Sequence, residues 1–243
     1  MRTIIRQNSI FLGLCLIYII ILGVVLLMVP KGDLHLWLNP QHTAWADAFF
    51  RGYTVIAEWV PYVIVVLLLC YKAGWSAFLL ADLLIAGLVG QGLKYLLDTP
   101  RPVTWFAENC PDVQLQLVDG VTMSRFYSFP SGHTITFFVL FFTLCLIMTE
   151  YYSRDAMHSV SPNAHTKPQI TNSLLQILCF LLFLTGAYSR IYLSQHFAED
   201  IWGGTVVGLL VSMSFLPLLP RFSAQKWWKY HFFAKKIQKN LVD

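Results

Sequence analysis

The chain has 243 residues, 56% hydrophobic and 12% charged, with a formal net charge of +4. Soluble domains carry about 25% charged residues, so half that content excludes a surface that faces water on all sides. The basic residues gather beside apolar runs instead of along a polar face, which excludes a nucleic-acid-binding protein.

About 20 apolar residues cross a bilayer as a helix. Six such runs follow one another, at about 10–29, 55–72, 75–97, 131–149, 173–190 and 201–219. Arg2 and Arg6 precede the first, which is too long for the apolar core of a secretion signal. It ends in LLMVPKGD without a small-x-small cleavage pattern, so it reads as a permanent signal-anchor helix. Between the runs only two connections are long, 98–130 and 150–172. After the last, RFSAQKWWKYHFFAKKIQKN alternates cations with Trp227, Trp228, Phe232 and Phe233, a composition suited to the headgroup plane. The expectation is all-α: a polytopic bundle of six transmembrane helices over 1–220, followed by a basic, aromatic, interfacial tail over 221–243.

Cys15, Cys70, Cys145 and Cys179 lie within apolar runs and Cys110 lies alone in a loop, with no metal-ligand spacing among them. With both termini on one side, that side holds Arg2, Arg6, Lys72, Arg154, Lys167, Arg221, Lys226, Lys229, Lys235, Lys236 and Lys239. The other holds Lys31, Arg51, Lys94, Arg101, Arg125 and Arg190. The richer side is expected to be cytoplasmic.

Three cations on the poorer side sit against apolar runs. Lys94 closes the third run in GLVGQGLKYLLDTP, Arg101 follows where Pro100 should stop the helix, and Arg190 ends the fifth. Each alone reads as a snorkelling side chain. Together at one membrane face, with His133 and His196, they read as a site. Ala86-x-x-x-Gly90 and Gly204-x-x-x-Gly208 are small-residue faces that allow close helix approach, which would draw Lys94 and Arg101 toward His196 and Asp200. Cations within about 6 Å repel by roughly 3 kcal/mol per pair at an effective dielectric near 20. Such a cluster is tolerable around an anion, and guanidinium forks suit phosphate.

In YSFPSGHTITFF, Pro130 fits the first turn of a helix. Ser131 and Gly132 would expose amides at its positive end, where anions bind, and His133 stands beside them. In SRIYLSQHFAED, His196 and Asp200 are four apart. An aspartate on one ring nitrogen leaves the other basic, as a nucleophile requires.

KYLLDTPRP, PSGH and SRIYLSQHFAED resemble the three signature motifs of the type 2 phosphatidic acid phosphatase superfamily: K-x6-R-P, P-S-G-H and S-R-x5-H-x3-D. Every fixed position is present in order, and the six-run layout extends the resemblance over about 1–220. The resemblance implies that Lys94, Arg101 and Arg190 hold phosphate oxygens, with Ser131 and Gly132 as further donors. It implies His196 as the nucleophile of a phosphohistidine intermediate, oriented by Asp200, and His133 as the acid for the departing oxygen. No cofactor or metal is implied. The expected substrate is a membrane lipid with a terminal phosphate or diphosphate: phosphatidic acid, phosphatidylglycerol phosphate, a polyprenyl diphosphate or a lipid A type glycolipid. A phosphotransferase to another hydroxyl and a non-catalytic lipid carrier are the alternatives. Neither nucleic acid nor an obligatory protein partner is expected. The compact loops suggest a bacterial inner membrane, with the site extracytoplasmic.

Other ionisable residues are given quieter roles. Arg125 reads as a solvated loop arginine that could touch a second phosphate, and Glu58 as a member of an interfacial belt or a substrate neighbour. Asp98 is a possible brace for Lys94 or Arg101. Asp82 and Glu150 are expected to meet water or a neighbouring helix at the inner side. His35, His42, His158, His165 and His231 read as loop or tail residues without chemistry.

Overall fold

A computed structural model describes residues 2–39, 42–158 and 166–219. The basic tail at 221–243 lies outside the described residues. Among them the regular structure is entirely helical. Short α1 (Arg2–Gln7) leads into α2 (Ser9–Met28), a helix apolar on every face; α3 (Lys31–Leu38) follows after Pro30. Next come α4 (Ala44–Thr54), α5 (Ile56–Tyr71) and α6 (Ala73–Leu97). A short α7 (Pro102–Asn109) and an irregular stretch precede α8 (Gly132–His158), α9 (Thr166–Tyr192) and α10 (Ala198–Phe215).

Among the described residues five segments are long and apolar enough to cross a bilayer: Ser9–Met28, Ala73–Asn109, Gly132–Tyr151, Ile170–Tyr192 and Ala198–Leu218. The pair α4 and α5, bent by 41° at its break, makes a sixth if it counts as one span. Expected run 55–72 therefore corresponds to α5, whose outer extension is a separate helix.

The core forms around α8. Phe137, Phe138, Phe142 and Cys145 on α8 are fully buried, against Phe11 of α2 and Phe183 of α9. Their rings lie 5.7 Å (Phe11–Phe138), 5.8 Å (Phe11–Phe142) and 5.6 Å (Phe138–Phe183) apart. Lipid-soluble side chains also cover the outside, Leu27 being 89% exposed. That inversion is the signature of a bundle solvated by hydrocarbon and not by water.

The small residues act differently from expectation. A Cβ at Gly90 of α6 would lie 2.6 Å from Ile135 Cδ1, one at Gly204 2.8 Å from the Ser131 carbonyl, and one at Gly208 2.9 Å from Phe138 Cβ. All three neighbours belong to α8 or the residue that precedes it. The two small-residue faces thus grip α8 from either side instead of pairing mainly with each other. α6 and α10 are tied by a separate contact, in which Ser212 Oγ donates to Asp82 Oδ2 at 2.7 Å. Asp82 meets a neighbouring helix as expected, and Glu150 meets Lys72 and Trp75.

α6 ends at Leu97 with Asp98 in the left-handed region (φ 39°), two residues before Pro100. This stops the helix with Lys94 in its last turn and releases Arg101 onto the end of the bundle. α7 then starts at Pro102, where a missing N–H costs nothing.

Candidate active site

The third motif owes its spacing to a chain reversal. α9 closes at Tyr192, Ser194 adopts a left-handed backbone (φ 48°), and the amides of Gln195 and His196 both donate to the Arg190 carbonyl, at 3.0 and 3.1 Å. Five intervening residues are what this turn requires to return His196 over Arg190. α10 begins two residues later. Asp200, in its first turn, accepts the Phe197 amide on Oδ2 at 2.8 Å, one half of a capping box. The same oxygen accepts Ser128 Oγ at 2.5 Å and faces His196 Nδ1 at 3.2 Å. Helix capping and histidine orientation are thus one arrangement.

His196 is 1% exposed and Asp200 fully buried. With Asp200 at Nδ1, the histidine's Nε2 makes no hydrogen bond among the described residues. Burial, then Arg101, Arg190 and Lys94, push the His196 pKa well below the ordinary imidazole value. The imidazole is held neutral, with a lone pair at Nε2.

The cations converge through Gln195. Its Oε1 accepts from Arg190 Nη2 in a short contact and from Arg101 Nη1 at 3.4 Å; Arg101 Nη1 also reaches the Gln195 carbonyl at 3.2 Å. Arg190, 4% exposed, uses Nη1 on Thr54 of α4 and leaves Nε without a partner among the described residues. Arg101 Nε donates to the Phe126 carbonyl at 3.1 Å. Lys94 Nζ lies 4.0 Å from where a Gly132 Cβ would be, so lysine and glycine face each other across the same opening. Lys94, Arg101, Gly132, Arg190 and His196 therefore gather at one end of the bundle.

The PSGH segment needs two corrections. Pro130 does not occupy the first turn of α8: it precedes Ser131, after a cis Phe129–Pro130 bond, and the helix starts at Gly132. The Ser131 amide is not free for an anion either, because it donates to the Asp200 carbonyl at 2.9 Å. Its hydroxyl accepts from Thr134 Oγ1 at 3.0 Å and faces the Thr134 amide at 3.4 Å, capping α8. The bond from Ser131 to Asp200 splices the starts of α8 and α10 together.

His133 Nε2 lies 3.3 Å from Glu58 Oε1, so Glu58 reaches the site from α5 as a side-chain neighbour of a histidine. Asp98 braces neither Lys94 nor Arg101 among the described residues. Arg125 stands beside the site: with Gln91, Lys94, Tyr95, Arg101 and Tyr127 it lines a cavity of about 350 Å³.

His35 overturns its expectation. It lies in α3, fully buried, with ring centroids 5.2 Å from Phe197 and 5.7 Å from Phe106. Its Nε2 is 3.3 Å from Ser194 Oγ and its Nδ1 has no partner among the described residues. Burial, opposed by Asp200 and reinforced by Lys31, lowers its pKa to about 4. Asn39 Nδ2 bonds the carbonyls of Ile191 and Tyr192 and the Ser194 hydroxyl, at 3.0, 2.8 and 3.1 Å. α3 and the residue after it therefore clamp the turn that carries His196.

Residues 75–224 match the family model described as the PAP2 superfamily, a stretch holding all three motifs. The chain belongs to the PAP2 superfamily. It is 29% identical over 171 residues to lipid phosphate phosphatase delta of Arabidopsis thaliana, a match covering 68% of this chain and 36% of that protein. The chain thus spans about a third of that relative's length. Among solved structures, it resembles LpxE of Aquifex aeolicus (TM-score 0.56, 19% identity, 76% of this chain and 93% of that one). It also resembles a transmembrane PAP2 type phosphatidylglycerolphosphate phosphatase of Bacillus subtilis (TM-score 0.59, 18% identity, 90% and 96%). At these identities the likeness is one of fold. With the apolar spans, it makes this superfamily member an integral membrane protein.

Proposed function

We propose that this protein is a lipid phosphate phosphatase that works through a phosphohistidine on His196, with its site on the extracytoplasmic side of a bacterial inner membrane. One observation carries the reading: His196 is backed by Asp200 at Nδ1, leaves Nε2 free, and lies beneath two arginines that share Gln195. Orientation follows from the distribution of lysine and arginine, which assigns the Lys72 end of the bundle to the cytoplasm. Lipid-phase spans and a site at one end of the helices suit a substrate whose tails stay in the bilayer while its phosphate enters the cluster.

In the first step Nε2 of His196 attacks phosphorus. The N–P bond forms as the ester or anhydride P–O bond breaks, and His133 gives its proton to the departing oxygen. Arg101, Arg190 and Lys94 hold the remaining phosphoryl oxygens and stabilise their charge. In the second step water attacks phosphorus, His133 takes the water's proton, and the N–P bond breaks to release phosphate and neutral His196. Asp200 keeps the imidazole in the reactive tautomer throughout. Dividing the displacement in two lowers the barrier of a very slow uncatalysed hydrolysis.

The test uses the full chain in detergent, with a lipid phosphate labelled in its terminal phosphorus. Phosphate release is expected to persist in excess chelator and to be inhibited by vanadate. Rapid quenching should trap an acid-labile label that is absent from His196→Ala. Turnover that requires an added metal ion, or label in the His196→Ala protein, overturns this mechanism. Label appearing on an added alcohol instead of water identifies the transferase alternative.

A further inference from the structure

The cavity beside the cationic cluster is larger than one phosphate needs. Its volume of about 350 Å³ falls in the range of small-molecule sites, roughly 300–1,000 Å³. Lys94 and Arg101 form one wall; Arg125 lines it as well, with Gln91, Tyr95 and Tyr127. Neither His133, Arg190 nor His196 lines it, so Lys94 and Arg101 are the cations it shares with the cluster around His196. Three cations line it and no carboxylate does.

Arg125 is not a loosely held loop residue. Its carbonyl accepts the Arg101 amide at 2.9 Å, and the next carbonyl, of Phe126, accepts Arg101 Nε at 3.1 Å. Beyond it the Ser128 amide donates to the Thr99 carbonyl at 3.0 Å, and the Phe129 amide to Thr99 Oγ1 at 2.9 Å. The 125–129 backbone is therefore laced to 99–101, which fixes where the Arg125 side chain starts. Its guanidinium is exposed and makes no hydrogen bond or ion pair among the described residues. Also in the lining, Tyr95 and Tyr127 meet edge to face, 5.2 Å between centroids, with Tyr127 in a left-handed backbone (φ 58°).

The charges add up to more than one phosphoryl group. A phosphomonoester carries about −1.5 to −2 at neutral pH, and Lys94, Arg101 and Arg190 already meet it. Arg125 is a further cation, lining the same cavity as the Gln91 amide and the Tyr95 and Tyr127 phenols. We propose that this cavity is a subsite for a second phosphoryl group of the substrate, bound by Arg125 and its polar neighbours while the terminal phosphate sits at His196. The inference rests on the lipid phosphatase reading and narrows its substrate class to lipids with two phosphoryl groups. The second group belongs either to a diphosphate or to a phosphodiester within the headgroup.

Two substrate pairs separate these sources: an isoprenyl diphosphate with its monophosphate, and phosphatidylglycerol phosphate with phosphatidic acid. For the full chain in detergent, Arg125→Ala should lower the ratio of kcat/KM within one pair about tenfold, the worth of one charge-assisted contact. Arg125→Lys should fall between. The pair whose ratio moves names the source. If both ratios stay within about twofold, or both members of each pair lose equally, Arg125 belongs to a general cationic rim and the proposal fails. Binding to the inert His196→Ala protein supplies the second readout. A short-chain isoprenyl diphosphate and glycerophosphoglycerol phosphate, each against its monophosphate, should show the same tenfold dependence on Arg125 in one pair. If the wild-type protein hydrolyses none of the lipids, the phosphatase reading has failed, and this binding comparison alone decides the subsite.

Discussion

Two polar regions occupy opposite ends of the bundle, and they follow opposite rules. Where α5 meets α6, Lys72 Nζ lies 2.7 Å from both oxygens of Glu150, and Trp75 Nε1 donates to the same carboxylate at 2.6 Å. Nearby, Thr149 Oγ1 bonds Asn8 Oδ1 at 3.0 Å, and Gln176 links the Gln7 carbonyl to the Phe11 amide. Charge cancels there and donors are used. At the far end Lys94, Arg101 and Arg190 gather with like sign, while Arg190 Nε and Asp200 Oδ1 go without hydrogen-bond partners among the described residues. A polar cluster that serves the fold is saturated; one that serves a ligand keeps charge and donors in reserve.

Substitutions at the two ends test this contrast most strongly. Arg190→Met should lower kcat/KM by about 10²–10³-fold, the loss typical of a transition-state donor. Lys72→Met should leave turnover of the folded protein within about threefold. Stability should rank the other way: Lys72→Met removes the counter-charge of a half-buried carboxylate that keeps its Trp75 donor, and costs about 1–3 kcal/mol, discounted for the partial exposure of Glu150. Arg190→Met removes a like-charged neighbour and should cost less. Denaturation in detergent beside a steady-state assay checks both, and equal rankings would erase the distinction.

The pH dependence sharpens it. Free His196 must be neutral to attack, and its pKa lies well below 6.5. The acid limb of kcat/KM should therefore fall well below pH 6.5, unlike that of an ordinary imidazole. An acid limb at the ordinary value would mean that neither burial nor the cations act on this ring in the free protein.

The smallest effect concerns His35. Its folded pKa of about 4 is below the unfolded value of 6.5, so the unfolded chain binds more protons in acid. Its contribution to stability is present above about pH 6.5 and is lost as pH falls toward about 4. His35→Phe, which keeps the ring contacts with Phe106 and Phe197, should flatten that part of the stability curve while losing the Ser194 contact.

Much of this design is legible in the chain itself. The apolar runs mark the spans, and the three motifs name Lys94, Arg101, His133, Arg190, His196 and Asp200, because their chemistry demands fixed side chains at fixed intervals. What escapes is what packing supplies from a distance. Glu58, Thr54 and His35 arrive from α5, α4 and α3, and no interval links them to the residues they touch. Gln195 and Ser128 lie inside or beside motifs, yet their roles emerge only when the α9–α10 turn folds against the 125–129 segment. Small-residue spacing reveals that a helix face is narrow but not which neighbour will use it, so α8 as the shared partner of α6 and α10 could not be read. Pro130 suggested a helix start because proline suits that position; the bond from Ser131 to Asp200 places the start later.

The lacing of the entrance has a consequence for how such proteins diversify. Arg101 holds the backbone at Phe126, and Gln195, which joins both arginines, also donates to the Thr122 carbonyl at 2.9 Å. The portal is thus sewn to the machinery by the very side chains that steady it. A foreign loop spliced in across 122–126 would break the bonds that steady Gln195 and Arg101, so both arginines should be reseated together with the portal.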